Sequence, residues 1–232
     1  MQLTVKDVSE LLNVSERTIY RWIKEQTIPV YHIRNQYRFS RSEILDWANS
    51  NRMTVSPKIF EEEAKTEETP LPSLYDSLKR GGIHYRVGGT DKGSVLRSVV
   101  DILNLPESVD REFLFKVLIE REQLGSTGIG EGIAIPHVRN PIILNVSSCI
   151  VALCFLERPV DFGAIDGKPV HALFTLVSTT ARAHLYLLSR LMYMLKDPGF
   201  AGVVSNRSER EAILGETQRI ENSFNKDLSG TP

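Results

Sequence analysis

Residues 128–141 read GIGEGIAIPHVRNP and combine three alternating glycines with three isoleucines and one histidine. The interspersed isoleucines distinguish this run from a plain flexible loop. Pro136 has a fixed φ and no amide hydrogen, so it stiffens the backbone directly before His137. A segment of this composition is suited to hold one imidazole ring in one place.

Glycine-rich runs also form nucleotide-binding loops, but this one lacks the spacings that those loops require. Ile133 stands where the dinucleotide motif has its third glycine, and no Lys-Ser or Lys-Thr pair follows the run. The alternative is that His137 itself carries a phosphoryl group. A neutral imidazole is a good nucleophile, and this chemistry needs a fixed ring and a clamp for the phosphoryl oxygens.

Two side chains of suitable chemistry lie on the apolar faces of predicted helices. Arg121 continues the apolar stripe of the helix predicted over residues 110–123, and an inward guanidinium needs a partner. His184 begins the stripe of the helix predicted over residues 184–196, at the helix end that favours anions. Taken singly, each has a structural explanation, since buried histidines are often hydrogen-bonded core residues and buried arginines can pair with a structural carboxylate. Together with His137 they predict a phosphoryl site that contains no metal.

Length and composition set the general class of the protein. The chain has 232 residues, of which 41% are hydrophobic and 25% charged, which suits a soluble protein with one small and one medium domain. The longest apolar run, residues 149–156, is far shorter than the ~18 residues of a membrane helix, and no signal peptide is apparent. We therefore expect a cytoplasmic protein. Cys149 and Cys154 are predicted to point to opposite faces of one strand and not to pair with each other.

The first 50 residues, the N-terminal domain, show the pattern helix, tight turn, helix, hairpin, helix. Thr4 and Ser15 are placed to cap the first two helices, and residues 28–40 form the hairpin. This order is typical of a winged helix-turn-helix domain. The exposed face of the second helix and the wing supply the candidate DNA-binding residues, which are Arg17, Tyr20, Arg21, Lys24, Arg34 and Arg38.

Residues 2–49 also resemble the excisionase-like branch of the MerR helix-turn-helix group along nearly all of their length. The sequence departs from many members at Thr27, where glycine is common in the turn before the wing. The resemblance implies DNA binding. A three-helix adaptor that binds protein is the alternative.

Residues 51–70 form an acidic, proline-interrupted stretch without periodicity, which predicts a linker. In residues 71–220, the C-terminal domain, the pattern predicts an α/β layered fold. Helices are expected at residues 72–80, 90–104, 110–123 and 184–196 and from Ser208 onward, and strands at residues 84–87, 146–156 and 170–178. Residues 221–232 are polar and predict a flexible tail.

The C-terminal domain resembles a second family. LIEREQLGSTGIGEGIAIPH, residues 118–137, is very similar to the signature of phosphotransferase-system enzyme IIA domains of the fructose, mannitol and nitrogen-regulatory class. The similarity continues through PVDFGAIDGKPVHALFTLVS, residues 159–178, and AHLYLLSRLMYMLKD, residues 183–197. It implies an α/β sandwich with a mixed sheet between helices, and it makes His137 the phosphohistidine position, lined by Arg121 and His184. It also implies an HPr- or NPr-type phosphocarrier as donor and no cofactor.

Three departures from the enzyme IIA pattern affect the choice of donor and of output partner. Val138 replaces a common glycine, His171 replaces a common aspartate, and residues 179–183 differ from the usual loop before His184.

The two resemblances together predict a cytoplasmic regulator that accepts a phosphoryl group on His137 and couples it to DNA binding and transcription. A homodimer would supply two DNA-binding domains. The alternative is a sugar-specific enzyme IIA that passes phosphate to a separate IIB domain, with the N-terminal domain as a docking module. Regulated target proteins are further candidate partners. A third hypothesis is an architectural DNA-binding protein with an inactive enzyme IIA domain. No IIB, IIC or membrane segment is recognised, so sugar transport by this chain alone is not expected.

Overall fold

A computed structural model describes residues 2–33, 36–51, 53, 71–107, 109–138 and 146–229. The chain divides into two compact units, Met1–Leu71 and Pro72–Pro232, which contain the N-terminal and C-terminal domains. Apart from Asn51 and Met53, the predicted linker lies outside the described residues. Among the helices that the structure describes, none is long and apolar enough to cross a membrane.

The N-terminal domain has the predicted winged helix-turn-helix order. Its elements are β1 (Gln2–Leu3), α1 (Val5–Leu11), α2 (Glu16–Lys24), β2 (Tyr31–Ile33), β3 (Gln36–Ser40) and α3 (Arg41–Ser50). Thr4 caps α1 and Ser15 caps α2, and Asn13 takes a φ of 52° in the turn between them. Strands β2 and β3 form the antiparallel wing, and β1 pairs with the other edge of β3.

The described residues of the C-terminal domain form an α/β sandwich of helices around one sheet.

 Its helices and strands are α4 (Leu74–Gly81), β4 (Ile83–Val87), α5 (Lys92–Ile102), α6 (Arg111–Gln123), β5 (Gly128–Gly130), β6 (Ile133–Ala134), β7 (Ile150–Val160), β8 (Val170–Val177), α7 (Ala181–Met194), α8 (Pro198–Ser205) and α9 (Arg210–Ser229). The five strands form one sheet in the order β4-β7-β8-β6-β5. The β4–β7 and β6–β8 pairs are parallel and the other two pairs are antiparallel, so the sheet is mixed as expected.

The two central strands sort their apolar residues onto both faces of the sheet. On β7, Leu153 and Phe155 pack with α4, α7, α8 and α9, whereas Ala152 and Cys154 pack with α5 and α6. This alternation follows from the two-residue period of a strand, and burial of both faces explains the continuous apolar run. Cys149 joins the first of these clusters, so the two free cysteines lie in opposite clusters, as predicted.

The glycine-rich run forms two short strands that the sequence pattern did not reveal. Gly130, Glu131 and Gly132 have φ values of 91°, 50° and 71°, and this left-handed turn joins β5 to β6. The pairing of β6 with β8 aligns Ile133 with Ala172, so a long-range partner stabilises strands of two or three residues.

Two further differences concern the end of the chain. Asp197-Pro198-Gly199, which follows the helix predicted over residues 184–196, begins the unpredicted helix α8, because Asp197 accepts from the N–H groups of Gly199 and Phe200 and proline fits a first helical turn. Helix α9 continues to Ser229, so residues 221–229 of the predicted tail are helical. The carboxylate of Glu221 accepts from the hydroxyl of Ser73 at 2.8 Å and from the N–H of Tyr75 at 3.2 Å, which attaches α9 to the start of α4.

Candidate functional site

The hairpin β5–β6 and the strand β8 place His137. The carbonyl oxygen of Pro136 accepts from the N–H of Leu176 on β8 at 3.0 Å, and His137 forms a parallel bridge with the same residue. The side chain of His137 is buried, with 1% exposed. The imidazole is therefore fixed next to the centre of the sheet.

A backbone oxygen and the guanidinium of Arg121 favour the same tautomer of His137. Nδ1 of the ring lies 2.7 Å from the carbonyl oxygen of Ile135. Because a carbonyl oxygen only accepts, Nδ1 carries the proton and Nε2 keeps its lone pair. Burial, with the neighbouring His184 and Arg121, holds the pKa of His137 well below its usual 6.5. The ring is thus neutral at pH 7 and nucleophilic at Nε2.

Arg121, in the last turn of α6, faces this lone pair. Its Nε donates to Nε2 of His137 at 3.2 Å, and its Nη1 donates to the carbonyl oxygen of Gly125 at 2.9 Å. The sequence placed Arg121 on the apolar stripe, but the fully buried positions of α6 are Leu114, Leu118 and Glu122. Arg121 is half-buried beside that stripe, from where its guanidinium reaches the ring.

His184 lies in the first turn of α7, against the other side of His137. The two ring centroids are 5.0 Å apart with the planes tilted by 40°. The side chain is 3% exposed, and neither of its ring nitrogens has a hydrogen-bond partner among the residues that the structure describes. Burial, with Arg121 adding to it, lowers the pKa of His184 to about 4. The structure therefore brings together the three residues that the sequence singled out.

The candidate DNA-binding residues divide into three groups. Arg17, Tyr20, Arg21 and Lys24 are all exposed on α2, on the side opposite the buried Ile19. Arg38 is half-buried on β3, where its guanidinium donates to the side chain of Gln36 and the carbonyl oxygen of Tyr37. Arg34 lies outside the described residues.

Comparison with known proteins places both domains. The sequence model of the family described as phosphoenolpyruvate-dependent sugar phosphotransferase system, EIIA 2, matches residues 77–216. This chain belongs to the EIIA type 2 family. A helix-turn-helix family model matches residues 3–52, so an EIIA type 2 domain follows a helix-turn-helix domain in this protein.

Nitrogen regulatory proteins are among the relatives of the EIIA type 2 domain. That of Pseudomonas aeruginosa is 43% identical over 126 residues, which cover 53% of this chain and 79% of the relative. The fructose-specific EIIABC component of Bacillus subtilis is 29% identical over 144 residues, covering 61% of this chain and 22% of the relative. The crystal structure of the nitrogen regulatory protein IIA-Ntr from Neisseria meningitidis superposes with a TM-score of 0.54 at 29% identity, covering 62% of this chain and 98% of that one.

Two of the sequence departures in the EIIA type 2 domain have a structural role. Val138 is 1% exposed and packs in the cluster beneath α5 and α6, so its side chain extends the core directly after His137. His171 lies over Gly132, where a Cβ atom would come within 2.4 Å of Cδ2 of His171. The imidazole of His171 thus occupies the space that a side chain at position 132 would need.

Sequence reasoning missed the groups that hold the catalytic candidates in place. The carbonyl oxygens of Ile135 and Gly125 are backbone atoms, which residue types do not reveal. Glu122 and Thr127, which are hydrogen-bonded to each other, support the same turn of the EIIA type 2 domain. A signal for Glu122 was present, because it completes the spacing Leu114, Leu118, Glu122 on the buried face of α6.

Proposed function

We propose that the EIIA type 2 domain accepts a phosphoryl group on Nε2 of His137 from an HPr- or NPr-type phosphocarrier in the cytoplasm. The observation that carries this proposal is the lone pair on Nε2, held by the Ile135 carbonyl and faced by a guanidinium at 3.2 Å. An activated nucleophile beside a fixed cation is what phosphoryl transfer requires.

The transfer itself follows from these contacts. The lone pair of Nε2 forms a bond to phosphorus as the bond from phosphorus to the donor imidazole breaks, and the donor imidazole leaves with that electron pair. Positive charge develops on the ring of His137, where the Ile135 carbonyl stabilises the Nδ1–H. Arg121 stabilises the negative phosphoryl oxygens. A phosphoryl oxygen would also accept from a ring N–H of His184, which has no other partner among the described residues.

The test is incubation of the protein with a phosphorylated HPr-type carrier, followed by intact mass spectrometry. The parent chain should gain one acid-labile phosphoryl group and His137→Ala should gain none. His84→Ala, a histidine outside the site, is the matched control and should be labelled like the parent. Labelling that persists in His137→Ala would show that another residue is the acceptor.

We infer further that phosphorylation regulates DNA binding by the helix-turn-helix domain, with α2 as the recognition helix. Its exposed Arg17, Tyr20, Arg21 and Lys24 match the chemistry of bases and phosphates in a major groove. We retain Arg34 and Arg38 as wing contacts, although Arg38 must first leave its contacts within the wing. A single domain offers few phosphate contacts, so a homodimer on paired half-sites is the form expected to bind tightly.

The DNA-binding proposal is tested by affinity measurements over a range of salt concentrations. The double variant Arg17→Ala, Arg21→Ala should bind more weakly with a smaller salt dependence, whereas Lys6→Ala, on the exposed face of α1, should bind like the parent. Phosphorylation should change the affinity by about 5- to 150-fold, the usual range of allosteric coupling. If the double variant binds like the parent at every salt concentration, α2 is not the recognition helix.

A sugar-specific enzyme IIA is the second candidate, favoured by the similarity to the fructose-specific EIIABC component. In that case the phosphorylated chain should transfer its phosphoryl group to a fructose-type IIB domain, and DNA affinity should not depend on phosphorylation.

A further inference from the structure

A buried carboxylate holds the turn between α6 and β5. Glu122 is 7% exposed, and its Oε2 accepts two hydrogen bonds from Thr127, one from the backbone N at 3.0 Å and one from Oγ1 at 2.6 Å. Its Oε1 lies 3.4 Å from Nζ of Lys92 on α5, which balances the charge. Because a buried carboxylate is costly unless it is paired and hydrogen-bonded, this arrangement ties Thr127 firmly to α6.

Hydrogen bonds continue from Thr127 to the imidazole of His137. The carbonyl oxygen of Thr127 accepts from the N–H of Ile135 at 2.9 Å. The carbonyl oxygen of Ile135 in turn accepts the Nδ1–H of His137 at 2.7 Å. The side chain of Glu122 is thus connected to the nucleophilic ring through two intervening residues.

The same turn also places the guanidinium that faces the ring. Arg121 precedes Glu122 on α6, and its Nη1 donates to the carbonyl oxygen of Gly125, two residues before Thr127. The two neighbouring side chains of α6 therefore hold two points of one turn. A shift of Thr127 would move both the oxygen that orients His137 and the oxygen that orients Arg121.

We propose that Glu122 is a positioning residue for phosphoryl transfer, acting through Thr127 to fix the Ile135 carbonyl and hence the tautomer and aim of His137. The role in transfer rests on the proposed function, whereas the effect on the tautomer exists in the unphosphorylated protein. Glu122 touches neither the phosphoryl group nor the ring, so its substitution should reduce the rate of transfer and leave the KM for the carrier unchanged.

The test uses the full chain, four variants that probe the contact and His137→Ala for assignment. Glu122→Gln removes the charge and Thr127→Val removes the hydroxyl donor, whereas Thr127→Ser keeps that donor. Glu120→Gln, an exposed carboxylate on the same helix, is the matched control. The readouts are the ¹⁵N chemical shifts of the His137 ring, identified by their loss in His137→Ala, and the rate of single-turnover transfer from a phosphorylated HPr-type carrier.

In the parent we expect one tautomer, protonated at Nδ1. Glu122→Gln and Thr127→Val should mix the two tautomers and slow transfer by about tenfold or more, because a misplacement of about 1 Å can cost about 100-fold. Thr127→Ser and Glu120→Gln should resemble the parent in both readouts.

The inference is overturned if Glu122→Gln and Thr127→Val both have ring shifts like those of the parent. It is also overturned if Thr127→Ser loses as much of the transfer rate as Thr127→Val. If Glu122→Gln does not fold, the Val and Ser variants of Thr127 decide the question on their own. If the parent accepts no phosphoryl group, the proposed function fails, and the ring shifts still decide whether Glu122 sets the tautomer.

Discussion

Replacing Arg121 by methionine should slow phosphorylation of His137 sharply, because it removes the cation that faces the nucleophile. Nε of Arg121 lies 3.2 Å from Nε2 of His137, so a phosphoryl group on that nitrogen would contact the guanidinium directly. Methionine is also an unbranched side chain and preserves the apolar packing of the arginine, but it carries no charge and no hydrogen-bond donor.

The size of the effect can be estimated from this geometry. Opposite unit charges about 4 Å apart attract by about 4 kcal/mol at an effective dielectric constant of about 20. Arg121 is half-buried, so water replaces part of the lost stabilisation. A net loss of about 3 kcal/mol in the transition state corresponds to a rate about 100-fold lower. The rate of Arg121→Lys should lie between those of the parent and Arg121→Met, because lysine keeps a positive charge but lacks the planar guanidinium group.

The assay is single-turnover transfer from a phosphorylated HPr-type carrier, with the pKa of His137 followed by NMR in the same samples. Arg121 is one of the causes that lower the pKa of His137, so Arg121→Met should raise it. Lys116→Met makes the same change in net charge at an exposed position of the same helix and serves as the control. If folded Arg121→Met is phosphorylated as fast as Lys116→Met, Arg121 is a structural residue and the clamp hypothesis is wrong.

The burial of His184, the exposure of Leu124 and Ile165 and the backbone conformation of Gly132 each have a measurable consequence. The pKa of His184 is lowered to about 4, so the unfolded chain binds a proton that the folded chain rejects. The contribution of His184 to stability should therefore be complete above pH 6.5 and fall by up to about 3 kcal/mol towards pH 4. His184→Gln should remove that part of the fall in urea unfolding, and a pH dependence equal to that of the parent would contradict this reading. Leu124 and Ile165 are 72% and 70% exposed, the first just after α6 and the second in the loop that packs on the hairpin. Replacing both by serine should raise the KM for the carrier about tenfold with little change in kcat, and an unchanged KM would show that the carrier docks elsewhere. Gly132→Ala should destabilise the protein by about 2 kcal/mol in urea unfolding, because the left-handed φ of 71° and the contact with His171 both oppose a Cβ. Adding His171→Ala should restore the part of the stability that is lost through the contact. A Gly132→Ala variant as stable as the parent would refute the argument.

The long elements and the proximity of the three candidate site residues could be predicted because their signals are local. The apolar runs of β7 and β8 are continuous, which is typical of strands buried on both faces. Thr4 and Ser15 are residue types that cap helices, and they cap α1 and α2 in the structure. His137 was indicated by the rigid segment before it, and His184 by its place at a helix start.

What could not be predicted depends on distant partners or on backbone atoms. Strands β5 and β6 form from glycine-rich sequence because β6 pairs with the distant strand β8 and β5 pairs with β6. Helix α9 extends to Ser229 while Glu221 contacts residues 73–75 at the start of α4, 146 to 148 positions earlier in the chain. The tautomer of His137 depends on a carbonyl group, which every residue carries, so only the fold could show which one it meets.

The parallel pairing of His137 with β8 determines when the surroundings of His137 can form during translation. Leu176 is made 39 residues after His137 (176 − 137 = 39), and His184 is made later still. While the chain is growing, the helix-turn-helix domain is complete well before the ribosome reaches α7, since domains fold in the order of their synthesis. A chain interrupted before that point contains the whole N-terminal domain and the residue His137, but not the neighbours that shape its surroundings. The surroundings of His137 are therefore completed late in translation, and they distinguish a finished molecule from a truncated one.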